Sequence, residues 1–552
     1  MKTLTKRILM LSAVSTLAAT AIVGCAVSGR QDYGGSSPFM ARASEVAMDQ
    51  TVMLSSSDAP EHQQPAGQWN REAYDHITDN PFKTVADNPL STFSVDVDTA
   101  SYSNVRRFLN AGQLPPAGAV RVEELVNYFS YDYAGPDDGN NAPFAANMAV
   151  ATCPWSPQHK LVRIAIKGRQ IADDKRPAGN LVFLLDVSGS MQDPNKLPLV
   201  KSAMKLLVNR LGGDDRIAIA VYAGAAGLVL DSTACSEKAK ILVALDRLEA
   251  GGSTAGAAGI RLAYQVAQKN FIKGGLNRVI LCTDGDFNVG TTSQSELIDL
   301  IEQQAAGGVF LTVLGFGMGN YQDSNLEKLA DKGNGNYGYI DTISEARKML
   351  VQQVSGTLVT IAKDVKIQVE FNPAKVAGYR LIGYENRILA KEDFNDDTKD
   401  AGEIGAGHTV TAVYELVPAG LTVPTTGSVD PLKYRPAKTE AESAAPAVSD
   451  ELLTLKLRYK LPDAQTSALM TLPLADSHTA FEDASDDFRF GAAVASFGML
   501  LRDSPYKGNA TMAGVIESAS AAKGDDADGY RAEFIQLAKL ASDLMPVANA
   551  GR

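Results

Sequence analysis

The feature that most constrains the fold is an alternation of apolar and amphipathic segments between residues 180 and 360. Strands separated by helices of this length form parallel sheets that helices cover on both faces. The pattern therefore predicts a doubly wound parallel-sheet α/β domain over residues 179–360. The apolar runs that we interpret as its strands are 181–185, 216–222, 228–230, 278–282, 309–314 and 337–340.

Beyond residue 360 the period of the apolar residues changes to two. In residues 365–371, and again in 453–461, apolar residues alternate with polar or charged ones. Such alternation is typical of antiparallel strands with one buried face. The sequence therefore predicts a β-sandwich-like domain at 361–475. It is followed by a helical segment at 476–552 whose apolar stripes belong to the core.

The region before the α/β domain is predicted to have two parts. Residues 71–140 contain a short strand candidate and two helix candidates, and we expect a small N-terminal module there. Residues 141–178 contain strand-like runs, which we expect to pack with the C-terminal β domain. The α/β domain would then be an insertion into a β-rich domain.

The first 25 residues have the pattern of an export signal. A positively charged start at residues 2–7 precedes an apolar stretch that ends at Cys25 and is short for a membrane span. Its end resembles the bacterial lipobox. That implies a lipidated Cys25 and an anchor in the envelope of a Gram-negative bacterium, the outer membrane being favoured over the inner. Residues 26–70 lack periodicity, and we expect a flexible tether.

The composition excludes several classes of function. The chain has 52 Lys and Arg against 64 Asp and Glu, a net charge of −12, so nucleic acid is not an expected partner. The four cysteines and five histidines show no CxxC or HxxxH spacing, so a zinc site is not expected. Whether Cys153 and Cys235 pair is left open.

Polar side chains follow two of the predicted strands. Asp186, Ser188 and Ser190 form a D-x-S-x-S run directly after the first strand, and Asp284 follows a later one. Thr254 lies on a loop before a helix. Because the carboxyl ends of parallel strands meet at one edge of a sheet, we expect these five side chains to converge. Their oxygen atoms suit Mg²⁺, Mn²⁺ or Ca²⁺.

These five residues, in this order, resemble the metal-ion-dependent adhesion site of von Willebrand factor type A domains. The resemblance implies a bound divalent cation, Mg²⁺ before Mn²⁺ or Ca²⁺. An acidic residue of a protein partner would complete the coordination shell of this cation. Four further segments resemble bacterial lipoproteins called YfbK-like, which pair an N-terminal module, a type A domain and a C-terminal domain. Those segments are 80–82, 94–103, 312–320 and 383–387.

The resemblance implies a membrane-anchored envelope lipoprotein that binds a protein partner through a divalent cation and is not an enzyme. An alternative is a structural scaffold or assembly factor of an envelope complex, in which the metal only stabilises the fold. The identity of the partner, the physiological metal and the oligomeric state stay open.

Competing motifs are weaker. The glycine-rich run at 315–320 has Asn320 in place of the third glycine of a dinucleotide loop, so no nucleotide is expected. Asp96 and Asp98 resemble an aspartyl phosphotransferase motif, but Ala100 stands where Thr or Val is usual, and a structural turn is the better interpretation. No histidine lies within 179–360 to act as the base of a serine hydrolase.

Overall fold

The computed structural model describes residues 72–545 except 138, 140, 173–174, 254–255, 286–293, 319–321 and 425–448. The predicted signal segment with Cys25, the tether and the site candidate Thr254 therefore lie outside the described residues. Within the described part of the chain, no helix is both long enough and apolar enough to cross a bilayer.

Strands and helices are numbered in chain order. The strands are β1 (Lys83–Thr84), β2 (Leu90–Ser94), β3 (Phe144–Cys153), β4 (Ser156–Gly168), β5 (Gly179–Asp186), β6 (Arg216–Tyr222), β7 (Ala226–Ala234), β8 (Leu276–Thr283), β9 (Phe310–Phe316), β10 (Tyr337–Ile340), β11 (Thr360–Phe371), β12 (Val376–Ile382), β13 (Gly402–Gly405), β14 (Thr409–Pro418), β15 (Glu451–Lys460) and β16 (Ala468–Ala475). The α-helices are α1 (Ala100–Asn110), α2 (Val122–Asn127), α3 (Leu197–Arg210), α4 (Lys238–Asp246), α5 (Gly256–Lys269), α6 (Gln294–Ala306), α7 (Asp323–Lys332), α8 (Ile343–Arg347), α9 (Val354–Leu358), α10 (Asp486–Leu501), α11 (Met512–Ala521) and α12 (Tyr530–Leu544).

The central α/β domain is built on a six-stranded sheet in the order β10-β9-β8-β5-β6-β7. The pairs between β10 and β6 are parallel, which confirms the predicted α/β class. The sheet is mixed, however, because β7 runs antiparallel to β6. Only residues 223–225 connect these two strands, and a parallel crossover needs a dozen or more residues.

Helices cover both faces of this sheet. Every residue of β5 is buried, and alternate side chains point to opposite sides. Phe183 belongs to the same apolar cluster as Met204 of α3, whereas Leu184 belongs to a second cluster with Ile260 of α5. Burial on both faces explains why the strand is a continuous apolar run rather than an alternating one.

Two antiparallel sheets form a β-sandwich beside the central domain. The first has the order β1-β12-β14-β4-β3, and in the second β11 pairs with β2, β13 and β15. Aromatic rings meet between the sheets: Phe371 of β11 stacks on Tyr379 of β12 with ring centres 4.0 Å apart. Phe371 also contacts Tyr414 of β14 edge-on at 5.5 Å. The core of the sandwich thus lies between strands that are distant in sequence.

The central domain is inserted in the sequence between β4 and β14, two neighbouring strands of the first sheet. Strand β4 pairs with β14, from Lys160 opposite Leu416 to Lys167 opposite Thr409. Strands β5 to β10 therefore follow β4 and precede β11, so the α/β domain is inserted between two strands of the sandwich.

The elements predicted to form an N-terminal module are instead shared among the other layers. Strand β1 pairs with β12 of the first sheet, and β2 pairs with β11 of the second. On α1, Arg106 pairs with Glu345 of α8 at 2.8 Å and with Glu533 of α12 at 3.1 Å. The two short strands of this region, of two and five residues, therefore extend the two sheets of the sandwich.

The C-terminal helices pack as the apolar stripes predict. Phe490 and Phe497 of α10 are buried and contact the ring of Phe534 of α12 at 5.5 and 5.1 Å. Phe129, which follows α2, lies 4.9 Å from Phe490. The helices therefore form a core with the N-terminal helices rather than a separate layer.

A buried ion cluster joins three parts of the chain. Arg387, which follows β12, lies 3.2 Å from a carboxylate oxygen of Asp96, 3.1 Å from one of Glu327 on α7 and 2.7 Å from one of Asp331. Asp98 accepts the Tyr337 backbone N–H at 2.9 Å. These contacts give the Asp96 and Asp98 motif a structural role, in which it fixes the N-terminal segment against the central domain.

Candidate metal centre

Three of the predicted ligands lie on one short loop after β5. Asp186 is the last residue of the strand and is fully buried. Its carboxylate accepts the backbone N–H of Ser188 at 2.8 Å, which turns the chain back over the strand end. The hydroxyl oxygens of Ser188 and Ser190 are then 3.0 Å apart. The D-x-S-x-S run thus places one carboxylate and two hydroxyls in a single turn.

A second loop holds this turn in place. The Gly189 N–H donates to the Gly252 carbonyl at 2.9 Å, and the Gly251 N–H donates to the Val187 carbonyl at 2.7 Å. Gly252 has a φ of +89°, in the region that glycine adopts without strain. The loop that leads to Thr254 is therefore fixed beside the serines, although Thr254 itself is not among the described residues.

The last described ligand candidate comes from the neighbouring strand. Asp284 follows β8 directly and is fully buried. Strands β5 and β8 are paired, with Leu185 opposite Cys282, so both polar loops emerge at the same edge of the sheet. The hydroxyl of Thr283 lies 3.5 Å from the Asp186 carboxylate. The structure thus brings Asp186, Ser188, Ser190 and Asp284 to one edge.

Burial makes this edge electrostatically demanding. Burial raises the pKa of Asp186 to about 6, the hydrogen bonds from Ser188 lower it, and the charge of Asp284 raises it further. Two buried carboxylates close together are costly unless a cation compensates them. Oxygen donors in this setting fit a hard divalent ion such as Mg²⁺, Mn²⁺ or Ca²⁺, because these ions prefer carboxylate and hydroxyl ligands.

A lysine that the sequence analysis did not single out also belongs to this site. The ammonium of Lys196 donates to the Asp284 carboxylate at 2.9 Å, and the lysine is only 5% exposed. It occupies the N-terminal cap position of α3, where the helix dipole disfavours a positive charge. A lysine at that position in the sequence is therefore a signal that it has a partner elsewhere.

Gly317, directly after β9, packs against this lysine. Gly317 has a φ of +77°, and a Cβ atom there would lie 2.5 Å from carbons of the Lys196 side chain. The Tyr339 hydroxyl donates to the Gly317 carbonyl and fixes the loop. Gly317, within the run that resembles a dinucleotide loop, therefore packs on the stem of Lys196.

Two other acidic groups in the described chain have carboxylate oxygens within 4.8 Å of one another and could hold a metal ion. The first group is Asp96, Asp98 and Glu327, and the second is Asp364, Asp400 and Glu403. In the first, Arg387 contacts all three members. In the second, lysines pair with Asp364 at 2.7 Å and with Asp400 at 3.6 Å. Basic side chains thus already compensate much of the negative charge in both groups.

Family models match most of the chain. The model for the von Willebrand factor type A domain matches residues 180–354. A model described as "von Willebrand factor" matches 68–163, and one described as "Uncharacterized protein YfbK, C-terminal" matches 356–544.

Known proteins show the same similarity. The uncharacterized protein YfbK of Escherichia coli (strain K12) is 47% identical over 480 residues, which cover 86% of this chain and 82% of that protein. The uncharacterized protein sll0103 of Synechocystis is 32% identical over 205 residues, or 36% of this chain and 47% of that protein. A solved von Willebrand factor type A protein from Catenulispora acidiphila aligns at 14% identity and a TM-score of 0.40, covering 73% of this chain and 91% of that one.

We expect Gly317→Ala to destabilise the protein more than Gly274→Ala. Gly274 has a similar φ of +73°, but no atom lies within 4 Å of the place that a Cβ would take, so it controls for the backbone strain alone. A Cβ at position 317 must displace the buried Lys196 stem, and overpacking of this kind costs about 1–3 kcal/mol. The free energy of unfolding from urea titration of both variants measures the difference. Equal losses would show that the loop does not hold the lysine.

Proposed function

Because the chain belongs to the YfbK family of proteins with a von Willebrand factor type A domain, we propose that it binds a protein partner through a divalent cation. Type A domains typically bind protein ligands. The observation that carries the proposal is the 3.0 Å approach of the Ser188 and Ser190 hydroxyls beside buried Asp186, at the same sheet edge as Asp284.

The residues at this edge would have different roles in binding the ion and the partner. The serine hydroxyls and the Asp186 carboxylate would hold the ion, with Asp284 beside them. Ser190 is half-buried, whereas Asp186 and Ser188 are buried, so the site opens to solvent on the Ser190 side. When bound, the ion supplies a ligand position for a carboxylate of the partner. At a net charge of −12 the chain as a whole repels acidic partners, so their recognition depends on this local cation.

We propose binding rather than catalysis. The five histidines of the chain are at 62, 76, 159, 408 and 478, so none lies in the type A domain to act as a general base. The hydroxyls of Ser188 and Ser190 hydrogen-bond to each other. Among the described contacts of these two serines, this one does not indicate a nucleophile paired with a base. We likewise propose no nucleic acid or nucleotide as a ligand.

We also propose that the chain is a lipoprotein of the Gram-negative envelope, anchored through Cys25, with the outer membrane favoured. The support is the sequence of residues 1–25 alone, since this segment lies outside the described residues. The tether at 26–70 would then hold the folded part away from the bilayer.

Divalent ions should raise the melting temperature of the full chain, and Ser190→Ala should reduce the effect. An ion that binds only the folded state stabilises it by about 2.7 kcal/mol at a hundred times its Kd. Thermal unfolding with EDTA, Mg²⁺, Mn²⁺ and Ca²⁺ measures the shift. Ser202→Ala is the matched control, because its hydroxyl on α3 bonds only the Pro198 carbonyl among the described contacts. No shift with any ion, or the same shift in Ser190→Ala, would contradict a metal site at these serines.

Partner binding should require the metal. The immobilised full chain is expected to capture an envelope protein in Mg²⁺ or Mn²⁺, and to lose it in EDTA or as the Ser190→Ala variant. Mass spectrometry of the eluted proteins measures the difference. Partners that stay bound in EDTA and to the variant would favour the second candidate, a scaffold in which the ion only stabilises the fold. The buried ion pairs that join Arg387 and Arg106 to several layers suit such a rigid frame.

Cys25→Ser should move the chain from the membrane to the soluble fraction of cells. Without the thiol no lipid can be attached, and the attached lipid is what the proposal relies on to hold the chain at the bilayer. Cell fractionation with immunoblotting measures the distribution. Cys153→Ser, a change at a buried cysteine of β3, is the control. An unchanged distribution of Cys25→Ser would contradict the lipid anchor.

A further inference from the structure

We propose that Lys196 makes the binding of the metal and of the partner's carboxylate cooperative. By neutralising Asp284 it leaves a bound divalent ion with excess positive charge, which a carboxylate from outside then compensates. The inference rests on the proposed function, and it assigns to this lysine the control of affinity at the metal site.

The ion pair between Lys196 and Asp284 is buried. The ammonium nitrogen lies 2.9 Å from the carboxylate oxygen, with the lysine 5% exposed and the aspartate fully buried. An ammonium in such a place is stable only when it is paired, because its desolvation costs several kcal/mol. The pair is therefore part of the buried site, and solvent does not screen it as it screens an exposed ion pair.

The backbone of Lys196 and the neighbouring Gly317 loop fix the start of the lysine side chain and pack on its stem. The Lys196 backbone N–H donates to the Asp193 carbonyl at 2.9 Å and starts α3. Gly317, with a φ of +77°, lies against the stem so closely that a Cβ atom there would be 2.5 Å from its carbons. The Tyr339 hydroxyl holds the Gly317 carbonyl. A metal ion held beside the Asp284 carboxylate therefore has the ammonium as a neighbour.

The balance of charges follows from these contacts. The described charged groups at the site are Asp186, Asp284 and Lys196, which sum to one negative charge. A divalent ion brings the sum to one positive charge, and a partner carboxylate brings it to zero. Without the lysine, the ion and the two aspartates would already be neutral, and an external carboxylate would gain much less.

Two consequences distinguish this arrangement from an ordinary metal site. The ion alone binds more weakly than the oxygen ligands would allow, because a buried positive charge repels it. The ion and a carboxylate strengthen each other's binding by the same factor, as thermodynamic linkage requires. The lysine thus favours the ternary complex over the metal-loaded protein alone.

The test is calorimetric titration of Mn²⁺ into the full chain, with and without excess acetate as a minimal carboxylate probe at constant ionic strength. In the wild type, acetate is expected to tighten Mn²⁺ binding. In Lys196→Met, Mn²⁺ alone is expected to bind about tenfold tighter, and the effect of acetate is expected to be lost. Lys196→Arg keeps the charge and is expected to resemble the wild type.

Lys201→Met is the matched control. Lys201 lies on the same helix but donates to the carbonyls of Asp246 and Leu248 rather than to a site carboxylate, so its removal should leave Mn²⁺ affinity unchanged. If Lys196→Met does not fold, as judged by circular dichroism, Lys196→Gln replaces it. This variant removes the charge but keeps a hydrogen-bond donor toward Asp284, and the same tightening is expected.

The outcomes separate the two proposals. Mn²⁺ binding by the wild type that Ser190→Ala abolishes, together with unchanged or weaker binding by the folded Lys196 variants, would overturn this inference and leave the metal site standing. An absence of Mn²⁺ binding in the wild type and in Lys196→Met would overturn the metal site itself, and this inference with it. Equal tightening in Lys201→Met would show a general charge effect and would also overturn the role of Lys196.

Discussion

The burial of β5 on both faces is the constraint on which the candidate site depends. Its eight residues are all buried, and its two neighbours β6 and β8 satisfy its backbone on both sides. Residues 181–185 are accordingly all apolar, and Asp186 at the carboxyl end of the strand begins the polar loop. Because β8 runs parallel beside it, the end of that strand delivers Asp284 to the same place.

Strand pairing and ion pairs connect the central domain to the rest of the described chain. The central domain enters between β4 and β11 of the sandwich, so both of its ends are tied to paired strands. Ion pairs of Arg387 and Arg106, most of them buried, join the N-terminal segment, the central domain and the C-terminal helices. Separating a buried pair leaves an uncompensated buried charge, which is energetically costly. The layers that these pairs connect therefore resist moving apart.

Local chemistry made much of the site predictable. The D-x-S-x-S run carries its own turn, because the Asp186 carboxylate reaches the Ser188 N–H two residues on. The position of Asp284 followed from the parallel arrangement of the strands. Lys196 was not predicted, because its partner is 88 residues away in the sequence and its contact depends on how α3 and the β9 loop pack. The N-terminal module was predicted from local patterns, whereas its strands pair with β11 and β12, which are far away in the sequence.

The sequence by itself determined the alternation of strands and helices, the identity of the candidate oxygen ligands and the strand ends near which they lie. Each of these depends on interactions within a few residues or on the regular geometry of a parallel sheet. Only the tertiary structure decided which distant groups share a buried space: Lys196 with Asp284, Arg387 with Asp96 and Glu327. Charges in a low-dielectric interior interact according to distance in space, and chain order does not fix that distance.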